Sequence, residues 1–92
     1  MNTQQFEEFK KITEEMYELH VKKNHDYGSG NIGALGEKGL YVRVWDKCSR
    51  LLELVWNGKA AQVADEKVED TIKDLAIYCI IWLVYRRGMW GK

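Results

Sequence analysis

The stretch LAIYCIIWLVY, residues 75–85, decides the fold, because it places apolar side chains on every side of any helix that it forms. The residues before it separate at helical spacing into an apolar stripe and an acidic stripe. Since a helix that is apolar all round must be covered all round, this segment belongs at the centre of a helical protein. We expect a helix from about Asp65 to Arg87, followed by Gly88.

The same helix predicts a homo-oligomer. Two partner helices of the same chain cover about half of its circumference. Ile77, Ile81 and Val84 continue the line of the acidic stripe, so we expect them to pack against a second subunit. A chain of 92 residues forms one domain, residues 1–92, and buries only a modest share of its surface when it folds alone.

Two further amphipathic helices complete the prediction. The first runs from about Thr3 to Lys23 and carries an apolar stripe at steps of three and four residues, namely Phe6, Phe9, Ile12, Met16 and Leu19. The second runs through LYVRVWDKCSRLLELVWNG, residues 40–58, and is ended by Gly58. The chain contains no proline, and we find no alternating strand pattern. The sequence therefore predicts an all-α fold, a small three-helix unit.

A long glycine-rich loop is expected between helices one and two. The stretch NHDYGSGNIGALGEKG, residues 24–39, holds five of the eight glycines, with polar residues between them. A connection of this length in a small helical protein is typically either functional or disordered. Glycine exposes backbone N–H groups that can form concave anion-binding sites. We interpret the loop as a binding site, and a mobile surface connection is the alternative.

Charged stripes on helices two and three supply further candidates. Helix two carries a basic edge that can hold a phosphate or form salt bridges with helix three, made of Arg43, Lys47 and Arg50. Helix three carries acids one turn apart, at a spacing that can present oxygen ligands to Mg²⁺, namely Glu66, Asp70 and Asp74. From spacing alone, a solvated acidic face is the favoured interpretation of that stripe.

The composition limits the partners. Fourteen basic residues offset fourteen acidic ones, which argues against bulk attraction to nucleic acid or to an anionic membrane. The apolar run of residues 75–85 is well short of a membrane span, and the first residues show no secretory signal pattern. The two cysteines lack the C-x-x-C spacing of metal and redox sites. We expect a cytoplasmic protein.

Three segments together resemble a family found mostly in phages and named nucleotide modification associated domain, type one. They are KNHDYGSGN (residues 23–31), YVRVWDKCSRLLEL (41–54) and DEKVEDTIKDLAIYCII (65–81), and the resemblance covers about residues 17–90. It implies a small all-α protein linked to phage nucleotide chemistry in the host cytoplasm. The positions that match are Lys23, Asn24, Asp26, Tyr27, Gly28, Arg43, Asp46, Lys47, Arg50, Glu66, Asp70, Asp74 and Tyr78.

The family is distantly similar to the all-α nucleoside triphosphate pyrophosphatases of the MazG and dimeric dUTPase type. Those enzymes pair an E-E-x-x-E helix with an E-x-x-D helix, so that four acids hold Mg²⁺ on the triphosphate. Helix two of this chain instead offers RVWDKCSRLLEL, residues 43–54, with basic residues on the face where metal ligands would be needed. This departure favours binding over hydrolysis.

We therefore expect a phage nucleotide-binding protein without catalysis and without a cofactor, an oligomer that sequesters small cyclic nucleotide signals against host defence. The residues assigned to its nucleotide site are Lys23, Asn24, His25, Asp26, Tyr27, Gly28, Gly30, Asn31, Arg43, Lys47 and Arg50. One alternative is a Mg²⁺-dependent nucleotide pyrophosphatase, with metal ligands Glu66, Asp70 and Asp74. Another is an oligomeric adaptor that binds other proteins. No membrane or nucleic acid partner is expected.

Overall fold

The computed structural model describes residues 2–59 and 67–92, and these residues form three α-helices. Helix α1 spans Thr3–Tyr27 and helix α2 spans Gly30–Leu51. A π-helical turn, Leu52–Trp56, continues α2 without a break, and helix α3 spans Val68–Arg86. Since the described residues contain no strand, the predicted all-α fold class is confirmed.

Helices α2 and α3 run antiparallel and form the body of the fold. Their apolar contact is centred on Leu40, which is 1% exposed and packs against Ile77 and Ile81. Lys47, two turns further along α2, pairs at 3.2 Å with Asp74, which precedes Ile77 on α3. Later residues of α2 therefore contact earlier residues of α3, as expected for antiparallel helices. Leu40, Ile77 and Ile81 are the buried apolar core of the described residues.

Helix α1 contacts this pair with its C-terminal half. Met16 and Leu19 pack against the buried core, and Lys23 reaches Asp74 of α3. The helix ends where Gly28 adopts a φ of 72° and donates its backbone N–H to the carbonyl of Asn24 at 2.7 Å. Glycine is suited to this position because it has no Cβ atom, so a positive φ at the end of a helix costs it little.

The long glycine-rich loop expected between helices one and two is not what the structure shows. Helix α1 continues to Tyr27, only two residues follow, and α2 begins at Gly30. The segment bends at Gly36, whose φ of 63° and ψ of −149° lie outside the helical region. A Cβ atom there would approach the Tyr85 hydroxyl to 3.0 Å. The prediction was wrong because a helical glycine costs only about 1 kcal/mol relative to alanine, and tertiary contacts also hold this segment. Ile32 packs against the core, Glu37 accepts a hydrogen bond from Trp82, and the carbonyl of Ser29 accepts one from Trp90.

The face of α3 assigned to a second subunit also requires correction. Ile77 and Ile81 are 7% and 6% exposed, and they are buried inside their own chain rather than on its surface. Val84 is half-buried. The exposed apolar residues of α3 lie on another side of the helix, where Ile72 and Leu83 are 50% and 57% exposed. The cause is the position of α2, which covers the side of α3 that the sequence pattern left open.

Two other expectations concern the ends of α3 and the membrane. Asp65, expected as the first residue of the third helix, lies outside the described residues, and α3 begins at Val68 within them. It ends at Arg86, one residue short of the predicted boundary. No helix in the two described ranges combines the length and the hydropathy needed to cross a membrane.

Candidate functional site

A cavity of about 380 Å³ lies where the three helices meet. The end of α1, the first half of α2 and the middle of α3 each contribute to its wall, and Trp90 from the C-terminal residues closes one side. Its lining consists of His20, Lys23, Asn24, Tyr27, Gly28, Asn31, Ile32, Arg43, Lys47, Asp74, Ile77, Tyr78, Ile81 and Trp90. The cavity is partly open to solvent.

Three cations and one carboxylate lie in this wall. Asp74 is shared between two lysines: one of its oxygens is 3.3 Å from Lys23 Nζ, and the other is 3.2 Å from Lys47 Nζ. Arg43 is the third cation. The lining therefore carries an excess of positive charge at neutral pH, and the side chains of Lys47 and Asp74 are mostly shielded, 21% and 26% exposed. Such a site attracts an anion, and partial burial strengthens that attraction.

Arg43 is held in place by neutral groups. Its Nη2 donates a hydrogen bond to Asn31 Oδ1 at 2.8 Å, and its Nη1 donates to the Tyr78 hydroxyl at 3.4 Å. The guanidinium carbon also lies 5.6 Å from the centre of the Tyr78 ring. These contacts orient the guanidinium without neutralising its charge. A planar guanidinium fixed in this way is suited to bidentate binding of a phosphate or a carboxylate.

Aromatic rings stand beside the charged groups. The ring centres of His20 and Trp90 are 5.8 Å apart with a tilt of 40°. Trp90 Nε1 donates to the carbonyl of Ser29 at 2.9 Å, and Ser29 Oγ donates to Asn24 Oδ1 at 3.1 Å. The indole is thereby fixed against the short link between α1 and α2. Tyr27 is 73% exposed at the edge of the cavity, where its ring is free to cover a planar ligand.

The structure brings together seven of the eleven residues that the sequence assigned to a nucleotide site. Those in the cavity wall are Lys23, Asn24, Tyr27, Gly28, Asn31, Arg43 and Lys47. His25 and Asp26 are instead exposed on α1, with Nδ1 and Oδ1 3.3 Å apart, because the helix continues through them and turns them to solvent. Gly30 and Arg50 lie on α2 outside the cavity lining.

Sequence reasoning missed His20 and Trp90. His20 shares one face of α1 with Lys23, Asn24 and Tyr27, at steps of three, four and seven residues, and extending the helix by four residues would have identified it. Trp90 follows the end of α3, so its place in the wall depends on how the C-terminal residues fold back. No local signal indicates that.

Two of the three acids proposed as metal ligands lie within the described residues. Glu66 lies outside the described residues. Asp70 is exposed and is not part of the cavity wall. Asp74 is in the wall, but both of its oxygens are engaged by lysines. Within residues 2–59 and 67–92, no group of three or more His, Cys, Asp or Glu side chains is placed to share a metal ion.

A second polar cluster fixes the other end of the α2–α3 pair. Glu37 Oε1 accepts a hydrogen bond from Arg86 Nε and another, at 2.7 Å, from Trp82 Nε1. The hydrogen bond from Arg86 lowers the pKa of Glu37 most, and the hydrogen bond from Trp82 lowers it further. The hydrogen bond to Glu37 raises the pKa of Arg86. This cluster borders a shallow groove away from the cavity, so we interpret it as structural.

Comparisons with family models, with curated proteins and with solved structures returned no match for this chain. The resemblance to the phage nucleotide modification family therefore stays a prediction, and the geometry of the cavity is the basis for proposing a function.

Proposed function

We propose that this protein binds a small nucleotide in the cavity between its three helices and releases it unchanged. The observation that carries the proposal is the juxtaposition of three cations, Lys23, Arg43 and Lys47, with the ring of Trp90 in one cavity. A nucleotide combines a phosphate with a planar base, and this wall offers a partner for each. A volume of about 380 Å³ lies at the small end of known ligand sites and suits a single nucleotide unit.

The expected contacts follow from the chemistry of the wall. The phosphate oxygens would take the place of the Asp74 carboxylate at Lys23 and Lys47 and form charge-assisted hydrogen bonds there. Arg43 would supply a bidentate contact to the same group. The base would stack on Tyr27 or Trp90, as amphipathic aromatic side chains permit.

Absence of turnover is part of the proposal. Hydrolysis of a phosphoanhydride requires a bound metal, a positioned water and stabilisation of the developing charge. The carboxylate in the wall of the cavity, Asp74, is paired with two lysines instead of standing free for a metal. In its most concrete form, the proposal is a phage protein that sequesters a cyclic nucleotide immune signal in the host cytoplasm as a homo-oligomer.

The test measures binding and the fate of the nucleotide in the same sample. Linear and cyclic nucleotides, with and without Mg²⁺, are titrated by calorimetry and then recovered by chromatography. We expect saturable binding with the nucleotide recovered intact. Release of pyrophosphate that depends on Mg²⁺ would favour the pyrophosphatase alternative, and no binding of any nucleotide would remove the proposal.

A matched pair of variants locates the site. Lys23→Ala removes a cavity lysine, while Lys22→Ala removes an exposed lysine from the next position of the same helix. Loss of one charge-assisted hydrogen bond costs roughly 1.5–3 kcal/mol, which is about 10- to 100-fold in affinity. Lys22→Ala should bind like the original protein. Equal effects of the two changes would show that bulk charge, and not the cavity, attracts the ligand.

A further inference from the structure

The side of the α2–α3 pair that faces away from the cavity is apolar and uncovered. On α2, Tyr41 and Trp45 are 54% and 60% exposed, and Leu52 in the π-helical turn is 52% exposed. Their spacing of four and seven residues places them along one side of the helix. Leu40, Arg43 and Lys47 occupy the inner side. This outer stripe is therefore separate from the residues that line the cavity.

Helix α3 continues the same surface. Ile72 and Leu83 are 50% and 57% exposed, and Cys79 lies exposed between them. Tyr41 of the α2 stripe contacts α3 through the ring of Trp82, which precedes Leu83, edge-on and with ring centres 6.3 Å apart. We call this surface the back face and define it by Tyr41, Trp45, Leu52, Ile72, Cys79 and Leu83.

The exposed area shows how much of the chain remains to be covered. A compact monomer of 10.8 kDa is expected to expose about 5,500 Å². This chain exposes 7429 Å². The excess is about 1,900 Å² per chain, and exposed apolar side chains of α1, such as Phe6 and Phe9, share in it with the back face. An obligate homodimer at the lower end of its size range buries about 2,000 Å² in total, or about 1,000 Å² per chain, so about half of this excess is enough.

We infer that the back face packs against the back face of a second copy of this chain. The excess area is large enough to include an obligate interface on the back face, and a two-fold symmetric dimer uses the same surface of both copies. The net charge of zero means that two copies do not repel each other through their overall charge. The resulting interface would contain four antiparallel helices, two from each chain. It differs from the interface expected from sequence, which used the inner residues Ile77 and Ile81.

The inference does not depend on nucleotide binding, so the test is made without nucleotide. Sedimentation velocity at micromolar concentration should give twice the mass of the 10.8 kDa chain. Trp45→Glu and Leu83→Glu each place a charge on the back face and should shift the protein to a single chain. Tyr17→Glu is the control, because Tyr17 is 69% exposed on α1, a helix that contributes no residue to the back face as defined.

A measurement on the unmodified surface covers the case in which a glutamate variant fails to fold. Cys79 is exposed in the single chain and lies on the back face, between Ile72 and Leu83 on α3. Cys48 is also exposed and lies on the outer stripe of α2, seven residues after Tyr41 and four before Leu52, so both thiols are kept and followed separately by mass spectrometry. Alkylation of each should slow at least tenfold as the concentration rises through the dissociation constant. Any of three results would overturn the inference. The first is a 10.8 kDa species at all concentrations, and the second is a dimer that persists in both glutamate variants. The third is a rate of thiol alkylation that does not change with protein concentration.

Discussion

Replacing Asp74 by asparagine separates nucleotide binding from metal-dependent hydrolysis, because the two proposals predict effects of opposite sign. Under the binding proposal, the carboxylate competes with the ligand phosphate for Lys23 and Lys47, which it holds at 3.3 and 3.2 Å. Removing its charge should therefore raise nucleotide affinity. Under the pyrophosphatase alternative, Asp74 is a metal ligand, and the same change should abolish Mg²⁺-dependent turnover.

The size of the effect follows from the geometry of the cavity. A phosphate bound by the same two lysines would stand about 6 Å from the carboxylate, where two unit charges repel by about 2.8 kcal/mol at an effective dielectric constant of 20. The side chain of Asp74 is 26% exposed, so solvent and salt reduce this value. We expect a gain of about 1–2 kcal/mol, which is about 5- to 30-fold in affinity. The fold should survive, because partly exposed ion pairs contribute about 1 kcal/mol or less each.

The assay is calorimetric titration of the original protein, Asp74→Asn and Asp70→Asn at two salt concentrations. Asp70→Asn is the control because it removes an exposed acid one turn earlier on the same helix and outside the cavity wall. The gain from Asp74→Asn should shrink at high salt. An affinity that falls, or that rises equally in the control, would refute the proposed competition between carboxylate and phosphate.

Three further predictions concern stability and pH. Gly36→Ala should destabilise the fold by about 1–3 kcal/mol in urea unfolding, because its conformation is suited to glycine and a Cβ would lie 3.0 Å from the Tyr85 hydroxyl. Gly33→Ala, with open space around it inside α2, should instead stabilise by about 0.5–1 kcal/mol, and an equal loss at both sites would contradict the assigned bend. Since the pKa of Glu37 is lowered in the folded chain, its contribution is present above the ordinary value of 4.5 and is lost as pH falls through the lower folded value. The free energy of unfolding, measured across that acidic range, should depend less on pH in Glu37→Gln than in the original protein. Identical pH profiles would show that Glu37 does not cause the loss of stability in acid.

The fold class was predictable because it depends on local pattern. The apolar run of residues 75–85 and the stripe that begins at Phe6 both have the helical period, and the structure forms helices at both. The end of α1 and the start of α2 were not predictable in the same way. Five glycines obscure the helical period there, and the side chains that donate hydrogen bonds to the segment, Trp82 and Trp90, come from the far end of the chain.

The composition of the cavity was predictable in part for a related reason. Lys23, Asn24 and Tyr27 share a face of one helix, and Arg43 and Lys47 share a face of another, so spacing alone groups them within each helix. Which side of α3 faces inward depends on where α2 packs. A helix that is apolar all round gives no local signal for that choice, and the interface assigned to Ile77 and Ile81 was wrong for this reason.

Helix α2 shows how one short segment can serve both surfaces. Arg43 and Lys47 line the cavity, whereas Tyr41 and Trp45 lie on the back face. The two pairs have the same four-residue step and are offset by two residues, which is a rotation of about 200° around a helix with 3.6 residues per turn. A polar pair and an aromatic pair can therefore interleave in the sequence YVRVWDK, residues 41–47, and still point in opposite directions. Since Leu40 and the rest of the core lie between the two surfaces, ligand binding and assembly use separate side chains, and each can be altered without removing a contact from the other.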